Sequence, residues 1–545
     1  MNVLWIRQGF FLVWFFVFLV LFVVKKKKQI IDNNIFNRNL KPVLHIATSI
    51  LVLLAFALSI YIRWDNYKTP PPLFIDEANV GRNLAERSIP EFWEKLDYEQ
   101  YAPPVLLTIW KSSCVLFGYQ EYALRALSFI CSLLCMLLLY RLGRRYIEHK
   151  FILAFPIIVF GMTYECIFQS YTIKQYMPDL TIALAFMLFA LKSDYKRFFE
   201  WKEILVWTVL GTIAVWASMP VVFGLASIGL YFALQAYRAG EFGKWLGRFS
   251  IAGVFWVVNF AIYFLTILKA DASESYLQNY HTPYFLQTAF WTTEGFAQNW
   301  NIIKGIMESY LTGKKLGMVL FLGLYVLGLI RILTLPKWSH KKRAELILLL
   351  LPFLLACLSS FLGYYSMIPR LLFFAMPVQI LIAAIGVDYI ASSIVWPLRP
   401  LGVVAAIYLV YGLNGWVFLE KGYKIILEDT RASVAYVSEH RTPSEKLLVN
   451  NLGAPVVTFY ANYHSNQEKY GNCKDFVWAA WNEPMPELVK ANFEKYPKDT
   501  IWVIIGHDPD EVANPQIAQI EADTTLQVLD KKTAWRSRAL KIAKK

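Results

Sequence analysis

Apolar residues fall along the chain in blocks of roughly 20, the length that crosses a hydrocarbon core of about 30 Å. The blocks predict spans at 3–24, 43–62, 121–142, 151–168, 171–191, 203–218, 219–237, 249–268, 316–333, 344–362, 371–389 and 399–418. Basic clusters separate them: Lys25–Lys28, Arg141/Arg144/Arg145, Lys192/Lys196/Arg197, Lys244/Arg248 and Lys341/Lys342/Arg343. With one crossing per span, all five clusters fall on one side, which the positive-inside rule makes cytoplasmic. The long segments 63–120 and 269–315, the short turn 363–370 and everything after 418 are then expected on the other side. Run 3–24 carries its lysines after the apolar stretch, the reverse of a signal peptide, and reads as an uncleaved span.

Between the first and second spans of that core, 63–120 is too polar to cross. Trp64 and Pro70-Pro71-Pro72 mark the exit from the membrane. A helix is predicted from Phe74-Ile75-Asp76-Glu77-Ala78, with Val80, Leu84 and Ala85 on one face. A short amphipathic piece carries Phe92, Trp93 and Leu96, and a third runs from Pro103-Pro104 to Phe117. Such pieces lie along an interface. After 418 the pattern changes to short apolar runs, Leu447–Val449 and Ile501–Ile505, among helix-like stretches at 430–440, 455–463 and 486–496. That alternation predicts a small α/β domain. Gly506-His507-Asp508 is no phosphate loop, and the tail reads as a structural cap.

Composition agrees with the pattern. Of 545 residues, 57% are hydrophobic and 17% charged, against roughly 45–50% apolar in soluble domains. A wholly soluble, disordered or disulfide-rich protein is excluded. The net charge of +14 resides in the loop clusters, which argues against nucleic-acid binding. The six cysteines form no CxxC and no Cys/His cluster, so neither a disulfide framework nor a thiolate metal site is indicated.

Charged residues on the outer side carry the candidate chemistry. Asp76 and Glu77 have a plain reading as an N-cap and first-turn acid. The alternative is a carboxylate that takes a proton from an acceptor hydroxyl or holds a divalent cation against phosphate. Lys174, in the turn Gln169–Tyr176, and Arg370, after Pro369, are cations against the positive-inside trend. Snorkelling explains such a lysine, while a guanidinium at the hydrocarbon edge suits phosphate. Asp179, inside a span, is either a functional carboxylate or half of an ion pair. Tyr276, Tyr280, His281, Tyr284, Trp291 and Trp300 of the 269–315 loop read as an interfacial aromatic belt rather than a sugar platform.

Asp76-Glu77, Gln100-Tyr101-Ala102-Pro103-Pro104, Phe117-Gly118 and Glu121-Tyr122-Ala123-Leu124-Arg125-Ala126-Leu127-Ser128 resemble the GT-C glycosyltransferases. So do Ser170…Lys174-Gln175-Tyr176, Ser218–Phe223 and Pro369-Arg370-Leu371-Leu372. Within that superfamily the chain is most similar to bacterial protein O-mannosyltransferases and the lipid A aminoarabinose transferase, over roughly 40–420. The resemblance implies an α-helical multispan membrane protein of GT-C type with a small C-terminal α/β extracytoplasmic domain. Its boundaries would be an additional N-terminal segment 1–42, a catalytic region 43–418 and a tail 419–545. It further implies an inverting sugar transfer from a polyprenyl-phosphate carrier to a protein, lipid or glycan acceptor, at the outer face of a bacterial inner membrane.

By the same resemblance Asp76 is the base, with Glu77 beside it, and Arg125 organises the loop. Lys174 and Arg370 hold the carrier phosphate, and Gln100, Tyr101, Tyr176 and Asp179 belong to the substrate site. A divalent cation is compatible but not required. Thr172 stands where relatives often have Glu, and Gln100-Tyr101-Ala102 replaces a Glu-Lys pair of the aminoarabinose enzymes. These departures leave sugar and acceptor open, and span 3–24 has no counterpart. The rival reading is a transporter or flippase of a phosphate-bearing lipid, for which internal repeats and midplane polar residues are expected; the sequence has no repeat.

Overall fold

The computed structural model describes residues 35–269, 275–311, 315–334, 340–392, 424–496 and 499–545. The expected spans 3–24 and 399–418 and the cluster Lys25–Lys28 lie outside the described residues, as do the side chains of Tyr276, Lys341, Lys342 and Arg343. The chain forms two compact units: 1–64, 128–170 and 175–423 in one, 65–127, 171–174 and 424–545 in the other.

The first unit is helical. Among the described residues six helices of the chain are long and apolar enough to cross a membrane: Thr48–Lys68, Glu121–Tyr146, Val221–Arg238, Phe242–Leu268, Ala344–Phe361 and Phe373–Ser392. This is an integral membrane protein. The predicted break between 203–218 and 219–237 falls where expected, with helices Trp201–Ala217 and Val221–Arg238 separated by Ser218-Met219-Pro220. Helix Tyr176–Lys192 begins later than the expected 171, because Tyr171–Gln175 form a turn.

The stretch read as one span at 151–168 is instead two short helices, Ala154–Met162 and Tyr164–Gln169, parted at Thr163, whose ψ of 131° is extended. A buried arginine explains how the break survives away from water. Arg63 donates to the carbonyls of Gly161 (2.9 Å) and Phe160 (3.2 Å), supplying donors to carbonyls that a helix end leaves unpaired. Gly161 allows it: a Cβ there would sit 1.8 Å from Ser59 Oγ, one turn before Arg63 on the neighbouring helix. Helices Lys315–Thr334 and Met376–Ser392 cross equally closely. Gly328 faces the Ile382 carbonyl and Gly386 faces that of Leu324, each at 1.9 Å from an added Cβ. Small residues permit this approach where no water drives helices together.

The second unit contains a five-stranded mixed sheet in the order β2-β1-β3-β5-β4. Its strands are β1 (Lys446–Val449), β2 (Val477–Trp478), β3 (Thr500–Gly506), β4 (Leu526–Ala534) and β5 (Ser537–Lys544). β1 pairs in parallel with β2 and β3, while β5 runs antiparallel to β3 and β4. Residues Ile501–Gly506 are all buried, so the central strand is apolar on both faces. Ile501, Val503 and Ile505 pack with Val489, Phe493, Ile517 and Ile520 from helices Met485–Lys495 and Asp510–Ala522. On the other face Trp502 meets Tyr436 edge-on, in helix Thr430–His440.

The tail was expected to contain two strands, and β2, β4 and β5 were missed. Lysines in β4 and β5 suppress the apolar alternation, and β4 is an edge of the sheet, where such charges discourage further pairing. The hairpin turns at Trp535-Arg536 with Arg536 at φ 49°, without the Asn-Gly or Asp-Gly signal of such turns.

Candidate functional site

Helix Ile75–Glu86 starts where the pattern put it. The N-cap reading of Asp76 does not hold: Phe74 occupies that position and makes no side-chain cap bond, while Asp76 and Glu77 lie in the first turn. The two acids point to different surroundings. Glu77 is fully buried, whereas the Asp76 side chain is 40% exposed.

Glu77 is saturated. Arg125 donates from Nε to Oε1 at 3.0 Å and from Nη2 to Oε2 at 2.5 Å, and the Ile173 N–H donates to Oε1 at 2.9 Å. Arg125 in turn donates to the carbonyls of Pro71 (2.6 Å) and Pro72 (3.3 Å). The pair therefore ties three sequence-distant segments together: the proline exit, the first turn of helix Ile75–Glu86, and the turn Tyr171–Lys174. Both side chains of the pair are 1% exposed. Their hydrogen-bonding capacity is spent inside the fold.

One residue beyond Ile173, Lys174 is aimed at the exposed acid. Its Nζ lies 3.5 Å from Asp76 Oδ2 and donates to Gln100 Oε1 at 2.7 Å. Gln100 is buried and is fixed through Nε2 to the Tyr98 carbonyl at 3.2 Å. Tyr98 and Glu99 before it have φ of 63° and 53°, a left-handed conformation costly for residues with a Cβ. Tyr98 is held there by its hydroxyl on Glu86 (2.5 Å) and by the Arg82 guanidinium 3.7 Å from its ring centre. Burial and the Glu86 bond push its phenol up to about 12, so it remains a donor. Tyr101 is half-buried. The structure thus brings together Asp76, Gln100 and Lys174, with Glu77 and Arg125 behind them.

The remaining expected residues belong to the first unit. Tyr176 and Asp179 are buried near the start of helix Tyr176–Lys192, and Asp179 Oδ1 has no hydrogen-bond partner among the described residues. Arg370 donates from Nη2 to the Tyr280 hydroxyl at 3.1 Å, its guanidinium 5.7 Å from that ring. The half-buried His281 imidazole beside it is held below its usual range by burial and then by the Arg370 charge. Tyr280 is thus an arginine partner, which composition alone did not reveal.

A second polar cluster was not anticipated. Glu121, 6% exposed, accepts from Arg431 Nη1 (2.7 Å), the Tyr460 hydroxyl (2.9 Å) and His464 Nε2 (3.2 Å). The only sequence signal was an acid at the start of an apolar block. Among the described residues no group of three or more His, Cys, Asp or Glu side chains is arranged to hold a metal ion.

No family model and no curated protein matches the chain in sequence. Among solved structures it is similar to ArnT from Cupriavidus metallidurans bound to undecaprenyl phosphate, with 13% identity and a TM-score of 0.48 over 90% of this chain and 97% of that one. The apo state of the same ArnT gives 13% and 0.48 over 91% and 98%. The archaeal oligosaccharyltransferase AglB from Archaeoglobus fulgidus, in complex with an inhibitory peptide and a dolichol-phosphate, gives 10% and 0.45 over 84% and 69%.

Proposed function

We propose that this membrane protein is a glycosyltransferase that moves a sugar from a polyprenyl-phosphate carrier to an acceptor hydroxyl or amine, with inversion, on the extracytoplasmic face of a bacterial inner membrane. The observation that carries the reading is the meeting of Asp76, Gln100 and Lys174 from three separate stretches of chain. A carboxylate 40% exposed is accessible to a substrate, and a largely buried ammonium beside it stabilises anionic charge better than a solvated one. The motif resemblance around these residues supports the same chemistry.

In the proposed reaction the acceptor attacks the anomeric carbon in one displacement. Asp76 takes the acceptor's proton as the new glycosidic bond forms. The bond from the anomeric carbon to the phosphate oxygen breaks, and polyprenyl phosphate leaves with the electron pair. Lys174 offsets the charge that develops on that oxygen. Gln100 aims the Lys174 ammonium, and the Glu77–Arg125 pair fixes the turn from which Asp76 and Lys174 project.

The test is purified protein incubated with a panel of polyprenyl-phosphate sugars, scored by release of the carrier. Asp76→Asn should lower turnover by about 10²- to 10⁴-fold, the usual worth of a general base, with the protein still folded. Lys174→Ala should cost about 10²-fold or more. Near-normal turnover in Asp76→Asn removes that residue from the mechanism.

A further inference from the structure

Within the second unit lies a cavity of about 430 Å³ around the Glu121 cluster, lined in part by Arg431, His464, Asn466, Lys469 and Tyr470. Its chemistry is one-sided. Glu121 already accepts from three donors, so it offers little to a bound cation. His464 Nδ1 accepts the Asn466 N–H at 3.0 Å, which puts the ring proton on Nε2, where it is donated to Glu121.

The cations are less occupied. Arg431 uses Nη1 for Glu121 and for the Pro70 carbonyl (3.2 Å), and among the described residues Nε and Nη2 make no hydrogen bond. That leaves one flat edge of the guanidinium, two parallel donors, for a ligand. Burial works against the charge on Arg431, but neighbouring Tyr460 and Glu121 outweigh it and hold the group above its ordinary range. Lys469 is exposed, its ammonium 5.4 Å from the Tyr470 ring centre. The Tyr470 phenol is pushed up to about 12 by burial and then by Glu121, and stays protonated. Arg431 and Lys469 against Glu121 leave the lining with a positive balance.

We propose that this cavity is a second binding site, distinct from the Asp76–Lys174 pair, for a phosphate-bearing group, with the free edge of Arg431 and the Lys469 ammonium as its charged contacts. Its place in the chain fits a headgroup. Thr69 and Pro70, also in the lining, directly follow span Thr48–Lys68, and Glu121 is the first residue of span Glu121–Tyr146. The cavity is thus lined by residues that directly adjoin two membrane-spanning helices along the chain, and the ends of such helices lie among lipid headgroups. Its volume exceeds that of inorganic phosphate and admits a glycerol or sugar phosphate.

The experiment is a titration of the full chain with glycerol 3-phosphate by calorimetry, in nanodiscs of zwitterionic lipid. A parallel arm measures retention of phosphatidic acid from mixed-lipid nanodiscs. Both arms are run in a Lys174→Ala background, which silences the cation assigned to the carrier, so the outcome does not depend on the transferase reading. Lys469→Glu reverses an exposed charge without touching the buried cluster, and should weaken binding at least fivefold. Arg431→Lys keeps the ion pair with Glu121 but loses the forked edge, and should weaken it at least tenfold. Binding of glycerol 3-phosphate identifies a soluble ligand, and retention of phosphatidic acid alone identifies a lipid headgroup. Affinity indifferent to both substitutions, or no binding in either arm, overturns the proposal.

Discussion

Replacing Glu77 by glutamine removes one charge and leaves the shape nearly unchanged, so the consequence can be worked from the geometry. The carboxylate receives three donors, at 3.0, 2.5 and 2.9 Å, with both partners of the ion pair 1% exposed. An amide has one oxygen. If that oxygen stays on Arg125 Nε and the Ile173 N–H, the new NH₂ faces Arg125 Nη2, donor against donor. The guanidinium then keeps its charge in a buried place with only the Pro71 and Pro72 carbonyls beside it. Breaking a buried pair from one side typically costs about 3–5 kcal/mol, and the two carbonyls put the expected loss near ~3 kcal/mol. A control lies nearby: Arg87 and Asp97 are 2.8 Å apart, but Asp97 is 52% exposed, so Asp97→Asn should cost under about 1 kcal/mol. Denaturant titration of the detergent-solubilised chain, followed by tryptophan fluorescence, measures both. Adding Arg125→Met to Glu77→Gln should recover part of the loss, because no uncompensated charge remains. A Glu77→Gln protein no less stable than Asp97→Asn would refute the idea that this pair fixes the turn.

Gly386→Ala should destabilise the membrane unit by about 2 kcal/mol or more, because the added Cβ meets the Leu324 carbonyl oxygen at 1.9 Å and two backbones must part. A melting temperature equal to that of the parent protein contradicts this. Glu445 gives a pH-dependent case. Burial raises its pKa, but the Lys541 ammonium, the Thr442 N–H and the Trp502 indole outweigh burial and hold it below its ordinary value of 4.5. A depressed carboxylate contributes stability that is present above its unfolded pKa and lost as pH falls through the folded one. Glu445→Gln should therefore be less stable by about 1 kcal/mol at pH 7, with the gap closing below about pH 4. A gap that stays constant down to pH 3 would show that the charge contributes nothing.

How much was legible follows from what each feature depends on. Six of the expected spans, helix Ile75–Glu86, helix Thr430–His440 and the strands β1 and β3 were readable because hydrophobic periodicity is local and repeats over many residues. The break at Thr163 was not: it depends on Arg63 arriving from another helix, about 100 positions away, through the space left at Gly161. Strands β4 and β5 escaped for a different reason, since they take their stability from pairing and their charged side chains hide the alternation.

At the site, sequence alone nominated Asp76, Glu77, Gln100, Arg125 and Lys174 as residue types in a plausible order. Only the tertiary structure separated their surroundings. Neighbouring acids in one helical turn point about 100° apart, so one meets a buried arginine and the other water. Periodicity fixes which residues share a face, and it determined the membrane character of this chain. Burial and ion pairing are decided by which distant segment arrives opposite that face. That is why Glu77 is locked in a buried ion pair, Asp76 stayed accessible, and the Glu121–Arg431–His464 cluster left no more than one acid at the start of an apolar block as its trace in the linear pattern.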